Sequence, residues 1–249
     1  YPEKKVILGP WLHSGNASYD PGGLALGSNA LRYDMDFICL AWLEHYLKGA
    51  DNGIDRTPKA EYYTCGSNQW KTASNWPVPE TKELVLYLDG SREDAAASNG
   101  GLLTTDSPVH ESSDSYLYNP EDPAIHLIDM SENELEVPAD YAEEEKRSDV
   151  LCYTTECLTE DLTITGDATA EIFLSSDCED TDLVVRITDV DEAGRSMKLA
   201  DGVLCVRYRN QFDHPDFMEP GTVYPVKIRT TKVSHTFLKG HRLRVTITS

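Results

Sequence analysis

The chain has 249 residues, enough to bury a sizeable core in one or two domains. Its 22 Lys and Arg stand against 43 Asp and Glu, a net charge of −21; this argues against binding a phosphate backbone, which needs clustered cations, and against docking on anionic lipid. No apolar run approaches the roughly 20 residues of a membrane span, and no leader pattern opens the chain, so the expectation is no nucleic-acid partner, no membrane and a cytoplasmic setting, with secretion left open because residues are expected to be missing upstream.

Lys5-Val6-Ile7-Leu8 reads as a short buried strand between charge and Gly9-Pro10. His13 falls in the turn just beyond it, at the strand edge where open α/β sheets present ligands and catalytic groups. In α/β-hydrolases the triad runs Ser, then Asp or Glu, then His along the chain. A catalytic His at position 13 leaves no room upstream for the other two, and no Gly-x-Ser-x-Gly elbow occurs anywhere. The reading is the C-terminal part of a serine hydrolase carrying one member of its triad.

Asp20-Pro21-Gly22-Gly23 cannot be regular structure. Residues 31–48 predict an amphipathic helix, with Met35, Ile38, Cys39, Trp42 and Tyr46 on one face. Ser28 or Asn29 would cap its start, Lys48-Gly49 would end it, and His45 would hydrogen-bond at a domain interface. Residues 50–58 have no periodicity and mark the boundary, which predicts domains 1–57 and 58–249. Beyond it, β-rich runs at 61–64, 84–88, 116–118, 162–165, 170–174, 183–190, 203–209, 223–231 and 242–248 are separated by turn residues. They predict a mainly β antiparallel sandwich or jelly roll. Residues 191–194 read as a hairpin loop and 132–149 as a solvated acidic loop. The last run alternates cleanly and stops, which predicts an edge or an unpaired slot, with further residues missing there too.

The six cysteines form no Cys-x-x-Cys pair and read as small buried hydrophobes in a reducing compartment. Zinc-ligand spacing is absent. Asp177, Glu179, Asp180 and Asp182 pose a Ca²⁺ site against a capped turn, and the turn is preferred because the spacing fits no EF-hand loop. His241 reads as a structural strand-entry residue; His110, His126, His214 and His235 are given no role.

Together these residues resemble one family. Gly9-Pro10-Trp11-Leu12-His13-Ser14 resembles the catalytic-histidine motif of the cocaine esterase and X-Pro dipeptidyl-peptidase class of serine hydrolases, and Trp42-Leu43-Glu44-His45-Tyr46-Leu47-Lys48-Gly49 its final hydrolase helix. Gly66-Ser67-Asn68-Gln69-Trp70, Trp76-Pro77, Tyr118-Asn119-Pro120-Glu121-Asp122-Pro123 and Asp149-Val150-Leu151-Cys152-Tyr153-Thr154-Thr155 follow in the family's order. So do Ser175-Ser176-Asp177-Cys178-Glu179-Asp180-Thr181-Asp182, Asp201-Gly202-Val203-Leu204 and Gly240-His241-Arg242.

The resemblance implies a parent with an α/β-hydrolase domain, a helical cap and a C-terminal jelly-roll (galactose-binding-like) β-sandwich. This chain would hold the sandwich preceded by the last strand and helix of the hydrolase domain. Of the catalytic residues only His13 is carried over; the serine, the aspartate and the oxyanion-hole tyrosine have no counterpart, so the chain alone is expected to be inactive. Trp11 would line the acyl pocket or pack its loop, with packing preferred, and the loop after Pro123 would wall the pocket through Ile125, Leu127 or Ile128. The implied substrate is a small-molecule ester or amide, with no metal or organic cofactor. The implied partners are the missing hydrolase and cap regions, with self-association through residues 1–57 as a further expectation. X-Pro dipeptidyl-peptidase or β-lactam acylase activity stays open beside esterase, as does a non-catalytic carbohydrate-binding module, which an exposed aromatic row (Tyr116, Tyr118, Tyr153) would favour.

Overall fold

The computed structural model describes residues 3–11, 24–90, 100–109, 112–127 and 140–249. The chain separates into two units, the first built from residues up to Lys82 with Ser234–Thr236, the second from most of the remainder.

In the first unit the apolar Val6-Ile7-Leu8 run forms β1 (Val6–Leu8). It pairs in parallel with β2 (Ala60–Thr64), Val6 opposite Ala60 and Leu8 opposite Tyr62. β3 (Gln69–Ala73) returns antiparallel to β2. The turn between them places Gly66 at φ 81° and Asn68 at φ 54°, the left-handed region that glycine enters freely and asparagine tolerates best among the rest. Space also demands glycine at 66, because a Cβ there would overlap the carbonyl oxygen of Thr236. That residue's N–H donates to the Cys65 carbonyl at 2.8 Å.

The helix α1 (Met35–Lys48) starts four residues later than its apolar period suggests. Ser28–Ala30 closes a separate 3₁₀ turn, so neither Ser28 nor Asn29 caps α1. Asp34 occupies the cap position without capping, because both its carboxylate oxygens are held by Arg32, at 2.7 and 2.8 Å. The C-terminal end follows expectation: Gly49 is left-handed at φ 72° and its N–H reaches the His45 carbonyl at 3.0 Å. His45 Nδ1 lies 2.8 Å from the Ala50 carbonyl and so closes its own helix end. Met35, Ile38 and Trp42 are half-buried, whereas Cys39 and Tyr46, expected beside them, are exposed. Phe37, Leu40, Leu43 and Leu47 form a further exposed apolar side. A helix apolar on all sides is one suited to burial on all sides.

The second unit is mainly β. Its strands are β4 (Tyr87–Asp89), β5 (Gly101–Thr104), β6 (Leu151–Thr154), β7 (Leu162–Leu174), β8 (Asp182–Val190), β9 (Ser196–Cys205), β10 (Tyr224–Phe237) and β11 (Arg242–Thr248). The order β4-β5-β6-β11-β8-β9 makes a six-stranded sheet, and β7 pairs with β10 in a second. Alternation along β10 buries Val226, Ile228 and Thr230 on one side. Val226, Ile228 and Phe237 meet Leu183, Val185 and Ile187 of β8 and Leu243 and Ile247 of β11 in a shared core. Neither sheet closes on itself among the described residues.

Several expectations change here. Runs 162–165 and 170–174 are one strand, continuous through Gly166 at φ 131°. Residues 116–118 are not a strand; the Tyr116 hydroxyl is instead tied to Ser249 Oγ at 2.7 Å. The run 203–209 breaks after Cys205 into the 3₁₀ turn Val206–Tyr208, because Asp180 takes the Arg207 N–H at 3.0 Å and its guanidinium as well. That pairing satisfies Asp180 without a metal, and no metal-holding carboxylate group occurs among the described residues. The hairpin at 191–194 is as expected, with Asp191 Oδ1 accepting the N–H groups of Ala193 and Arg195, both at 2.9 Å.

Three corrections matter more. β11 is neither an edge nor beside an empty slot: β6 pairs along one side and β8 along the other. The described part of 132–149 is only partly solvated: Tyr141, Glu145 and Asp149 are buried, whereas Asp140, Glu143, Lys146 and Ser148 are exposed. Only Cys152 of the six free thiols is buried; Cys39, Cys157 and Cys178 are exposed. Burial pushes the Cys152 thiol up to about 12, so it stays protonated and inert.

Candidate functional site

The sequence places the catalytic chemistry at His13, flanked by Trp11, with Ile128 as a pocket candidate. His13 and Ile128 lie outside the described residues. The described flanks of the His13 segment are residue 11 and residues 24–34. Trp11 folds back over its own chain, so that a Cβ on Gly9 would overlap the indole. Its Nε1–H donates to the Ala30 carbonyl at 2.8 Å, and its ring packs on Trp70 of β3 with centroids 5.8 Å apart. Trp70 also meets Tyr63 of β2 edge-on at 5.5 Å, and the Arg32 guanidinium lies 4.8 Å from its ring centre.

The same hairpin holds the downstream flank. Trp70 Nε1–H donates to the Asn29 carbonyl at 2.7 Å, Asn68 Nδ2 to the Ala25 carbonyl at 2.8 Å, and the Tyr63 hydroxyl to the Leu26 carbonyl. Asn29 Nδ2 returns a bond to the Asn68 carbonyl at 2.9 Å. Burial pushes the Tyr63 phenol up to about 12, which keeps it a donor at neutral pH.

Below this lies a chain of charges. Lys5 Nζ meets Glu61 Oε1 at 2.6 Å, and Glu61 Oε2 accepts from Arg32 at 2.9 Å. Burial works against the Glu61 carboxylate, but Lys5 and Arg32 outweigh it and hold its pKa below the ordinary 4.5. A depressed folded-state value contributes stability in full above 4.5 and loses it as pH falls through the lower value. Glu61→Gln is therefore expected to lower stability by about 1–2 kcal/mol at pH 7, with the difference closing as pH falls below 4.5. Urea midpoints of both proteins from pH 7 to 2.5 check this; a gap independent of pH would count against it.

In the second unit, the residues before Ile128 are held by backbone donors. Leu127 N–H reaches the Tyr141 hydroxyl at 3.1 Å and Ile125 N–H reaches Glu144 Oε2 at 3.4 Å. Ile125 stays exposed, with Leu127 at the margin of exposure. His126, given no role from sequence, lies 3.3 Å from Asp201, which also pairs with Lys198 at 2.6 Å. His241 Nδ1 meets Asp189 at 2.9 Å beside the start of β11, a structural contact. Tyr153 is buried with its hydroxyl on Asp114 at 2.6 Å and Tyr116 is half-buried, so of the three candidate tyrosines Tyr118 alone is exposed. Sequence reasoning missed Trp70, Asn68 and Tyr63 as partners of Trp11 and of residues 25–29. The available signal was the Gly66-Ser67-Asn68-Gln69-Trp70 turn, whose glycine and asparagine announce a tight hairpin.

The family described as the X-Pro dipeptidyl-peptidase C-terminal non-catalytic domain matches residues 52–249. The chain belongs to this family. The matched residues begin beyond His13 and α1, which therefore stand outside the family's non-catalytic part. The cocaine esterase of Rhodococcus sp. (strain MB1 Bresler) is 34% identical over 251 aligned residues, covering 99% of this chain and 44% of that protein. Among solved structures, an aminopeptidase from a marine sediment Thaumarchaeota archaeon superposes with a TM-score of 0.81 at 26% identity, over 99% of this chain and 42% of that one. An α-amino acid ester hydrolase superposes at 0.78 over 98% of this chain and 42% of that one; at 24% identity it shows the shared fold alone. The chain thus spans less than half the length of the relatives it matches. No helix among the described residues is long and apolar enough to cross a membrane.

Proposed function

We propose that the full-length protein is a serine hydrolase acting on small carboxylic esters, with His13 as its general base and acid and with the serine and aspartate supplied upstream of this chain. The observation that carries this reading is the identity to a named esterase along nearly the whole chain, hence across the residues around His13 as well as the matched family residues. In such a site the serine Oγ attacks the ester carbonyl while its proton passes to His13 Nε2. The proton then goes to the departing alkoxide, which leaves as the alcohol, and water releases the acyl group by the same route. A carboxylate on Nδ1 fixes the tautomer, and no metal enters the sequence of steps.

On this reading residues 1–57 end the hydrolase domain and 58–249 form the supporting sandwich, with Ile128 reaching the acyl pocket and Trp11 packing the histidine segment. The exposed Phe37, Leu40, Leu43 and Leu47 side of α1 supports it, since a hydrolase domain upstream would cover that face; the chain alone would tend to self-associate through it. The burial of Tyr153 and the half-burial of Tyr116 leave only Tyr118 of the three candidate tyrosines for a carbohydrate-binding face. The family's description keeps release of X-Pro dipeptides as the second reading.

The test is to assay the full-length protein on a short-acyl nitrophenyl ester and on an X-Pro nitroanilide, with a serine-directed phosphonate as inhibitor. Ester turnover blocked by the phosphonate supports the proposal. Dipeptide release without ester preference moves the second reading to first place, and neither activity overturns both.

A further inference from the structure

We propose that Asn52–Gly53 is a self-modification site, at which the Gly53 backbone nitrogen displaces ammonia from the Asn52 amide and so unfastens α1 from the turn that follows it. The tether is one side chain. Asn52 Nδ2 donates to the Ala41 carbonyl inside α1 at 2.7 Å, and Asn52 Oδ1 accepts the Ile54 N–H at 3.2 Å. Ile54 is buried and opens the 3₁₀ turn Ile54–Arg56, so a single amide joins that turn to the helix. The same geometry favours attack on the amide. Gly53, at φ 80°, has no Cβ to obstruct an approach to its nitrogen. Its N–H enters no hydrogen bond among the described residues, so nothing competes for the nucleophile. The oxygen on which negative charge develops during attack, Oδ1, already holds a donor in the Ile54 N–H. Asn52 is exposed, so water and base reach it.

The step balances with water alone. The Gly53 nitrogen loses its proton to solvent base and bonds to Asn52 Cγ; the Cγ–Nδ2 bond breaks, and Nδ2 leaves as ammonia with a proton from water. Water then opens the succinimide ring at either carbonyl, leaving aspartate or, with the chain routed through the side-chain carbon, isoaspartate. Neither product keeps an N–H for the Ala41 carbonyl. Each adds a negative charge beside the C-terminal end of α1, where the helix dipole opposes it. Nothing in this chemistry depends on the role of His13.

The experiment ages the folded full-length protein in mildly alkaline buffer beside a sample unfolded in urea, and follows Asn52 in both by peptide mapping with mass spectrometry. The expected result is conversion in the folded protein within about tenfold of the unfolded rate, the factor that one exposed hydrogen bond can impose. Amide hydrogen exchange over residues 42–50 should be about fivefold faster in aged than in fresh protein. Asn52→Asp should show that faster exchange without ageing, and Asn52→Gln, whose longer side chain closes the ring poorly, should age without change. An Asn52 still intact when the unfolded chain has converted overturns the site. Conversion that leaves exchange over residues 42–50 unchanged overturns the unfastening, as does an Asn52→Gln protein that loosens equally on ageing.

Discussion

Replacing His13 by alanine in the full-length protein is expected to lower ester turnover by about six orders of magnitude. The size follows from how a serine nucleophile works. A serine hydroxyl is almost wholly protonated at neutral pH and attacks only as its proton is taken. Histidine is suited to the task because its ordinary pKa of about 6.5 lets it accept that proton and give it up again within one cycle. Serine and histidine act as a unit, so losing either costs about as much as losing both; what survives comes from oxyanion stabilisation and binding. KM should move little, since the imidazole contributes to the transition state more than to ground-state binding. By the same reasoning residues 1–249 alone should show no turnover above buffer. Steady-state hydrolysis of a nitrophenyl ester measures both; a variant within tenfold of the parent would remove His13 from the mechanism.

Glu145→Ala is expected to destabilise the second unit by about 3–5 kcal/mol. The Glu145 side chain is fully buried and its Oε2 pairs with the Arg244 guanidinium, itself 7% exposed. Ser196 Oγ donates to Oε1 at 2.6 Å and Thr188 Oγ1 lies 3.3 Å from it, while Arg244 Nε bonds Thr154 Oγ1 at 2.8 Å. Removing the carboxylate strands a buried cation, which costs more than the pair contributes when intact. The double variant Glu145→Leu with Arg244→Met should therefore recover most of the loss, because no charge is then left unpaired and Ser196 keeps Thr188 as a partner at 2.7 Å. Urea denaturation followed by circular dichroism measures each; a double variant as unstable as Glu145→Ala would show that the cost is lost packing and not the stranded charge.

Much of this architecture was legible because local chemistry and tertiary fold agree. The apolar period and Gly49 located α1, and the alternating run at 242–248 located β11 to the residue. Reading failed where a distant partner decides the outcome. Glu145 sits in an acidic stretch that looks solvated, and its burial depends on Arg244, 99 residues on, with Ser196 and Thr188 on its other oxygen. β5, four residues around Gly101, has too little pattern to register, yet its glycine is needed because a Cβ would press on the Tyr153 ring. Around the candidate site, His13 and Trp11 stood out by motif. Trp70 carried no mark of its role, since its partners Trp11 and Asn29 lie more than 40 residues away.

The position of β11 has a consequence for how the protein comes into being. The strand that joins β6 to β8 lies after every other described strand of the sheet in chain order. During synthesis β8 and β9 can pair as a hairpin as soon as they emerge, but β4, β5 and β6 gain their link to that hairpin only when residues 242–248 are clear of the ribosome. Until then β6 and β8 each present an open hydrogen-bonding edge. The nascent second unit is thus held in two halves awaiting one late strand, and that interval is when it is most open to pairing with the wrong neighbour.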